Sequence, residues 1–355
     1  MTDPIVDVII PVHSDQRPIA RATSSVLTSA SVATRVSVVC HNIDPARIAT
    51  ALGAWAEDPR VRLLELNDGL PSPAGPINTG LDAASAEFTA LLGSDDEYEP
   101  GAVDIWVAAA RRDGAEVVIP PIRTSPGGKT RSPAVRPFRT RQLDGVRDRL
   151  AYRTVQLGLV SRARFGYIRM TSGLRTGEDI IQGASIWYSD ARISLVRRAP
   201  GYLIHGDDPA NRSSSSVKPA AESLMFLDAV LAPEFVSTLS PAQRESFAVK
   251  VLRTHVMDIL GASLRAGVPP ADQAALAYAV RRLSLLAPTA AGILSRRDSG
   301  ILSELLGAAN PKLLAAEHAL RTDYRRPGNV LPASYRRLLH REAPPRFLAA
   351  FALMR

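Results

Sequence analysis

The sequence predicts an α/β domain with a mostly parallel sheet, followed by an α-helical domain. Short β-branched or apolar runs alternate with helical patterns in the first part of the chain. Strand patterns stop near residue 217, where alanine- and leucine-rich helical windows take over. The alternation predicts right-handed βαβ units with helices on both faces of the sheet. We place the two domains at 1–216 and 217–355, with a hinge at 211–216.

The elements follow from the pattern in chain order. The run at 6–10 is β-branched and suits a strand buried on both faces, and Pro18 then opens a helix, since proline fits the first helical turn. Asp44 and Pro45 start the next helix in the same way. Further strands are predicted at 36–39, 61–66, 88–92 and 116–120, and further helices at 44–58, 75–84, 100–113, 247–264, 271–286 and 313–319.

Composition limits the classes of function. With 46% hydrophobic and 22% charged residues, the 355-residue chain has the composition of a packed protein. Its single cysteine, Cys40, excludes an internal disulfide and a cysteine-rich zinc site. No window reaches the roughly 18 apolar residues of a membrane span, and the first residues lack a secretory pattern. We therefore expect a cytoplasmic protein.

Positive charge is concentrated in the C-terminal part. The net charge is +8, yet 1–216 holds 25 Lys and Arg against 24 Asp and Glu, whereas 217–355 holds 18 against 11. Basic and apolar residues mix in 335–341 and 347–355, which suits peripheral contact with the inner face of an anionic membrane or, alternatively, a packed helix. Aromatic residues are only 5%, and no strand interleaves them with basic residues, so no nucleic-acid partner is expected.

Ligands of such sheets bind beyond the carboxyl ends of the strands, which directs attention to the loops 11–17, 40–44, 67–75 and 93–99. In the last loop, Asp95, Asp96, Glu97 and Glu99 follow a buried strand directly. Carboxylates this close repel one another, and Mg²⁺ or Mn²⁺ would relieve the repulsion. The alternative is an acidic turn whose glutamates cap the helix that follows.

A second acidic pair, Glu178 and Asp179, precedes an apolar stretch. By itself the pair fits the first turn of a helix, where carboxylates complement the helix dipole. Taken together with the first cluster, it suggests a metal carboxylate for a diphosphate and a second carboxylate that acts as a base.

The order of these motifs resembles the family 2 inverting glycosyltransferases of GT-A fold. The resemblance covers about residues 5–210 and is carried by Pro11-Val12-His13-Ser14, Asn78-Thr79-Gly80-Leu81, Gly93-Ser94-Asp95-Asp96 and Gly177-Glu178-Asp179. The sequence departs from the family pattern at His13, at Cys40-His41-Asn42, at Ile77 and at Gly93, which stands where the first aspartate of the Asp-x-Asp-Asp motif is usual.

The resemblance implies a role for each matching residue. Asp179, beside Glu178, would be the catalytic base, and Asp95 with His205 would bind the divalent cation, Mn²⁺ or Mg²⁺. The nucleotide-sugar donor would contact Pro11, His13, Asp15, His41, Asn42, Asn78, Ser94, Asp95 and Asp96.

The implied function is metal-dependent, inverting transfer of a sugar from a nucleotide-diphosphate sugar to a hydroxyl of a glycan or lipid-linked acceptor, in a cell-surface polysaccharide or glycolipid pathway. A non-catalytic nucleotide-sugar-binding or scaffolding relative is the alternative. A nucleotidyltransferase is disfavoured, because His13-Ser14-Asp15-Gln16 stands where that class has a glycine-rich basic loop.

The stretch 122–141 contains six basic and no acidic residues. A mobile loop of this composition would clamp a diphosphate or a phosphorylated acceptor, and the alternative is an ordinary solvated loop. The six basic residues are Arg123, Lys129, Arg131, Arg136, Arg139 and Arg141.

Overall fold

The computed structural model describes residues 3–125, 127–130, 133–206, 218–307 and 310–353. The chain forms two compact units. The first comprises Met1–Arg131, Phe138–Leu143 and Arg153–Ser215, and the second comprises Ser132–Pro137, Asp144–Tyr152 and Ser216–Arg355. Two short segments that precede residue 216 thus cluster with the helical unit. A single boundary at residue 216 does not separate the two units. The expected hinge at 211–216 lies outside the described residues.

The first unit contains a seven-stranded and a four-stranded sheet. Strand order in the large sheet is β10-β6-β9-β4-β1-β2-β3, and in the small sheet β5-β11-β7-β8. The strands are β1 Val6–Val12, β2 Thr34–His41, β3 Val61–Leu66, β4 Phe88–Leu91, β5 Glu97–Tyr98, β6 Val117–Ile119, β7 Ile122–Thr124, β8 Gly128–Thr130, β9 Leu159–Ser161, β10 Ile193–Leu195 and β11 Tyr202–Ile204.

Helices cover both faces of the large sheet. The six helices of the first unit are α1 Ile19–Leu27, α2 Pro45–Leu52, α3 Ala74–Asp82, α4 Ala102–Asp113, α5 Arg162–Phe165 and α6 Ile180–Trp187. Side chains alternate along β1: Val8 and Ile10 pack with residues of α1, α2 and α4, whereas Ile9 packs with α3. Helix α3 lies so close to β1 that a β-carbon on Gly80 would collide with Ile9.

The predicted α/β class with a mostly parallel sheet is confirmed. Strands β4, β1, β2 and β3 are neighbours and all parallel, and β10 pairs in parallel with β6. The sheet is larger than the five predicted strands, because β9 pairs antiparallel between β4 and β6 and β10 adds an edge. These strands have three residues each, too few for an alternating pattern to stand out in the sequence.

The second unit is helical, as predicted. Its helices are α7 Ala220–Ser223, α8 Phe226–Val230, α9 Pro233–Val236, α10 Pro241–Val251, α11 Met257–Arg265, α12 Pro270–Leu286, α13 Ala290–Ile293, α14 Arg296–Leu306, α15 Pro311–Ala319, α16 Pro327–Val330 and α17 Pro344–Ala352. The window predicted at 247–264 is interrupted by a π-helical turn, Leu252–Val256, between α10 and α11. In the part of the chain that the structure describes, no helix is long and apolar enough to cross a bilayer.

Candidate active site

Four loops of the first unit meet at one edge of the large sheet. Strands β4, β1, β2 and β3 are parallel and in register, so the segments that follow them lie side by side at their carboxyl ends. These segments carry His13 after β1, Asn42 after β2, Asp68 after β3 and Asp95 after β4. The fold thus brings together the loops that the sequence singled out.

Asp95 is buried at this edge and is held by arginines from the loop after β1 and from α1. Its side chain is 10% exposed, and the Arg17 Nη1 lies 3.2 Å from its Oδ2. The Arg17 Nε donates to Ser94 Oγ at 3.2 Å, and Arg21 donates to the Asp95 carbonyl. Guanidinium groups, which the sequence analysis did not include, therefore compensate the carboxylate.

Asp96 is fixed by the small sheet. Its Oδ2 accepts from the Tyr202 hydroxyl at 2.6 Å, and its Oδ1 accepts from the His205 N–H at 3.0 Å. The same hydroxyl accepts from the Gly93 N–H at 2.9 Å. Burial, followed by the Asp96 carboxylate, raises the pKa of Tyr202 well above its usual range, so the hydroxyl remains a donor.

Residue 93 is closely surrounded by polar atoms. A β-carbon on Gly93 would lie 2.9 Å from Asp96 Oδ2, 3.1 Å from the Tyr202 hydroxyl and 3.2 Å from Asp95 Oδ1. A larger residue there would require these hydrogen-bonded atoms to shift. The glycine therefore suits the close packing of Asp95, Asp96 and Tyr202.

The glutamates of the acidic loop do not cap α4. The Glu97 Oε2 lies 2.5 Å from His205 Nε2, and Glu99 binds Arg123 and the Gly201 N–H. Helix α4 begins after Gly101 without a side-chain cap. Contacts with the small sheet, rather than helix capping, account for these two carboxylates.

His41 and Asn42 form a polar cluster with Asp68, which follows β3. The His41 Nε2 lies 2.8 Å from Asp68 Oδ1 and 3.0 Å from Asn42 Nδ2. Asn42 adopts a left-handed φ of 55°, which asparagine tolerates, and its Oδ1 accepts from the Gly69 N–H at 2.9 Å. Burial disfavours the Asp68 carboxylate, but hydrogen bonds from Leu70 N–H and His41 lower its pKa overall.

The loop after β1 presents Pro11, His13 and Asp15 at the same edge. His13 is exposed, and Pro11 is half-buried. Arg47 on α2 contacts the Asp15 carboxylate at 2.7 Å and 3.0 Å. This hydrogen bonding lowers the pKa of Asp15. Asp15 therefore links the loop to α2.

Asn78 supports a neighbouring segment. Its Nδ2 donates to the Met170 carbonyl at 3.0 Å, and its Oδ1 accepts from the Met170 N–H at 2.9 Å. Further along, the Leu174 carbonyl accepts from the Ser72 hydroxyl in the loop after β3. These bonds hold the segment that leads to Glu178 and Asp179 against the carboxyl-end loops.

Glu178 and Asp179 are half-buried and directly precede α6. Asp179 is the N-cap residue by position, yet its side chain makes no capping hydrogen bond, so capping does not use the carboxylate. The Glu178 carbonyl accepts from the Thr171 N–H at 2.8 Å. The pair thus lies at a helix start, as the alternative reading expected, without the usual capping contact.

Asp95 and His205, the predicted metal ligands, fit a cation that is held by the protein together with substrate phosphates better than one held by protein groups alone. No group of three or more His, Cys, Asp or Glu suited to a metal occurs among residues 3–125, 127–130, 133–206, 218–307 and 310–353. Asp95 is one buried carboxylate, and Mg²⁺ is often held by one or two carboxylates together with substrate phosphates. His205 directs its Nε2 at Glu97.

Three arginines of the basic stretch 122–141 form ion pairs with carboxylates. Arg123 pairs with Glu99, Arg141 lies 2.9 Å from Asp113, and Arg136 is held in a double contact by the buried Asp148. The expectation of a mobile clamp is therefore wrong for these three arginines, because carboxylates distant in sequence neutralise them. Arg131 lies outside the described residues.

Sequence reasoning missed Arg17, Asp68 and Tyr202. Each acts on a residue from a different strand or loop, and no local spacing links Arg17 to Asp95 or Tyr202 to Asp96. The sequence pointed to Arg17 and Asp68 only through their position. Both lie in loops that were expected at the carboxyl ends of the strands.

Comparison with known proteins finds a similar family and a similar curated protein. Residues 7–172 match the model of glycosyl transferase family 2. The succinoglycan biosynthesis protein ExoO of Rhizobium meliloti (strain 1021) is 28% identical over 221 residues, which cover 57% of this chain and 61% of that protein. The chain thus spans about three fifths of the length of this relative.

The fold has close counterparts among crystal structures. S. aureus TarS 1-349 superposes with a TM-score of 0.70 at 15% identity, covering 90% of this chain and 91% of that one. TarS 1-349 in complex with UDP-GlcNAc gives a TM-score of 0.64 at 16% identity over the same shares. The chain therefore shares the GT-A fold of TarS 1-349, and residues 7–172 of the chain resemble glycosyl transferase family 2.

Proposed function

We propose that the enzyme transfers a sugar, with inversion, from a nucleotide-diphosphate sugar to a hydroxyl of a cell-surface polysaccharide or glycolipid precursor. The observation that carries the proposal is the meeting of four polar loops at the carboxyl ends of β4, β1, β2 and β3. Two comparisons support the proposal: TarS 1-349 was crystallised in complex with UDP-GlcNAc, and ExoO is named for succinoglycan biosynthesis.

The nucleoside would bind where β1 and β2 end. His41, Asn42 and Asp68 offer donors and acceptors there, already oriented by one another at 2.8–3.4 Å. Pro11 and His13 would form the wall on the β1 side, with Asp15 held beside them by Arg47. Asn78 would act indirectly, by holding the Met170 segment.

The diphosphate would lie at Asp95, with Ser94 and Asp96 beside it. A divalent cation, Mn²⁺ or Mg²⁺, would be held by Asp95 with His205 nearby and would stabilise the negative charge of the leaving diphosphate. Arg17 adds a fixed positive charge 3.2 Å from Asp95 and orients that carboxylate. Cation dependence is part of the proposal.

Asp179 would accept the proton of the acceptor hydroxyl, with Glu178 beside it. Asp179 is half-buried at the start of α6, in the segment that Asn78 and Ser72 hold beside the carboxyl-end loops, and this position supports the role. The hydroxyl would attack the anomeric carbon from the side opposite the diphosphate, so that a single displacement inverts the configuration.

The donor reaction tests the proposal. We would incubate the wild-type protein with UDP-, GDP- and dTDP-sugars, with and without Mn²⁺ or Mg²⁺, and measure release of the nucleoside diphosphate. Cation-dependent release from at least one donor, abolished by excess EDTA and restored by Mn²⁺, supports the proposal. If EDTA does not affect release of the nucleoside diphosphate, the proposed cation dependence is contradicted. If no donor releases a nucleoside diphosphate, the proposed donor class is contradicted.

We also propose that the C-terminal part contacts an anionic membrane surface, where a lipid-linked acceptor would be reached. Leu339 and Leu353 are 80% and 61% exposed beside several arginines. Flotation with anionic liposomes should weaken in the Leu339→Asp/Leu353→Asp double variant and not in Leu285→Asp, whose leucine is 79% exposed elsewhere in the same unit. Equal flotation of all forms contradicts this contact.

A further inference from the structure

The second unit contains a pocket lined by positive charge. Its volume is about 600 Å³, and no Asp or Glu is among the eleven residues that line it. The volume falls within the roughly 300–1,000 Å³ that is usual for ligand sites. Six of the lining residues are basic: Arg136, Arg147, Arg149, His340, Arg341 and Arg346.

Only part of this charge is neutralised by the protein. Asp148 neutralises Arg136 at 2.7 Å and 2.8 Å. Among the described residues, no carboxylate lies within 4.0 Å of the guanidinium nitrogens of Arg147, Arg341 or Arg346. The Asp144 carboxylate, near in sequence, accepts from backbone N–H groups instead. The pocket therefore has an excess of about three positive charges.

Arg149 is the most constrained of these residues. It is only 4% exposed, and its terminal nitrogens donate to the Ala134 and Arg341 carbonyls. Its buried Nε has no hydrogen-bond partner and lies 4.0 Å from Glu342 Oε1. Its backbone φ is +52°, a left-handed value that is unusual for arginine. The Nε thus faces the buried Glu342, and the strained backbone that places Arg149 at the pocket is of the kind that clusters at functional sites.

Buried groups hold the pocket in place. Glu342 is fully buried, and its Oε2 accepts from the Tyr152 hydroxyl at 3.0 Å and from Arg253 Nη1 at 3.1 Å. Arg253, which lies in the π-helical turn, also stacks over Phe347 of α17 at 4.3 Å. The backbone around His340 and Arg341 and the start of α17 are thereby fixed before any ligand binds.

The remaining wall is apolar. It consists of Pro137, Leu339, Ala349, Ala350 and Leu353. The planar guanidinium groups match phosphate oxygens in geometry and charge. A bare anion would make no favourable contact with the apolar wall. We propose that this pocket binds the phosphate group of a phosphate ester that also carries an apolar portion.

Binding of dihexanoyl phosphatidic acid, below its micellar concentration, tests this proposal by calorimetry. Dihexanoyl phosphatidylcholine and inorganic pyrophosphate are the comparison ligands. Phosphatidic acid should bind at least tenfold more tightly than phosphatidylcholine. Tighter binding of phosphatidic acid than of pyrophosphate supports the apolar portion of the ligand, and the reverse order would overturn it. The assay contains no nucleotide sugar, so its result is independent of the donor reaction.

Two variants locate the site. Arg147 and Arg346 are exposed at the pocket, so Arg147→Glu and Arg346→Glu should fold normally and each weaken phosphate binding about tenfold. Arg281→Glu, an exposed arginine of α12 outside the pocket, should bind as wild type. No binding of either phosphate probe, unchanged binding in both pocket variants, or equal weakening in Arg281→Glu would overturn the proposal.

Discussion

Arg17 links two of the side chains at the carboxyl edge of the sheet. Its guanidinium contacts both Ser94 and Asp95, and both members of the Arg17–Asp95 pair have side chains at most 10% exposed. Breaking a buried ion pair by removing one partner leaves an uncompensated charge. The position of Asp95 therefore depends on a residue from the loop that follows a different strand.

We expect Arg17→Met to reduce the free energy of unfolding by about 3 kcal/mol and to raise the donor KM. Arg17→Lys keeps the charge but loses the bidentate guanidinium, so it should show smaller changes in the free energy of unfolding and in the donor KM. Urea unfolding and donor kinetics measure the two effects. Arg111→Ala removes a 58% exposed partner of Glu87 and should change stability by less than about 0.5 kcal/mol. If Arg17→Met resembled Arg111→Ala, Arg17 would not support the site.

Asp179→Asn should lower kcat by about 10²–10⁴ while leaving donor affinity unchanged, because the amide cannot accept the acceptor proton. Turnover and calorimetric titration with the same nucleotide sugar separate the two effects. Asp190→Asn is the control, since that carboxylate is 86% exposed in the same unit and should retain full turnover. Full turnover in Asp179→Asn would exclude Asp179 as the base.

Cys40 should be chemically silent in the folded protein. It is completely buried in β2, and burial raises its pKa to about 11, so the thiol stays protonated at pH 8. A thiol-specific chromogenic reagent should react with one equivalent of thiol in guanidinium chloride and with almost none in native buffer. Rapid reaction in native buffer would show that β2 is accessible.

Local pattern was enough to single out Asp95 as a candidate, because it stands in an acidic run directly after a buried strand. The structure places it at the carboxyl edge of the sheet, and its role stays a prediction. Arg17 and Tyr202 were missed because their partners lie 77 or more positions away, a pairing that only the folded chain creates. Similarly, the basic stretch looked free because Asp148 and Asp113, which pair with its arginines, lie outside it.

At the scale of elements, prediction succeeded where strands and helices are long. The seven-residue β1 and the eight-residue β2 are rich in buried β-branched residues, and α2 opens with Asp44 capping the Ala46 N–H. The three-residue β9 and β10 gain stability from neighbouring strands rather than from their own pattern. Register with distant segments is information that a window of sequence does not contain.

Asp7 joins three elements at the start of the sheet. It is fully buried in β1, accepts from Arg35 of β2 at 2.7 Å and 2.8 Å, and accepts from the Ser85 and Ala86 N–H groups ahead of β4. Burial alone would raise its pKa, but the hydrogen bonds from Arg35, Ala86 and Ser85 lower it overall.

This lowered pKa fixes the sign of a pH effect. The stabilisation by Asp7 should be complete above its unfolded-state pKa of about 3.9 and should disappear as the pH falls through the lower folded-state pKa. Asp7→Asn should therefore be about 3 kcal/mol less stable than wild type at pH 7, and the difference should shrink at acidic pH. Urea midpoints at several pH values measure this. A difference that is constant with pH would contradict an ionised Asp7.

At the scale of the whole molecule, two compact units carry different charge and different candidate sites. The first unit contains the polar loops and most of the range that matches the family 2 model, and the second contains the arginine-lined pocket. The charge asymmetry was visible in the sequence. The pocket was not, because Arg136, Arg147 and Arg149 lie in two short segments before residue 216 that cluster with the helical residues after it.

A crystal structure with bound nucleoside diphosphates and Mn²⁺ is the most direct test of the catalytic site. We predict that the nucleobase lies among the loops after β1 and β2 and that the metal contacts Asp95. The Asp179 carboxylate should face the sugar position from the side opposite the diphosphate. Density for the nucleotide away from Asp95, or an Asp179 side chain directed out of the donor cavity, would contradict this prediction.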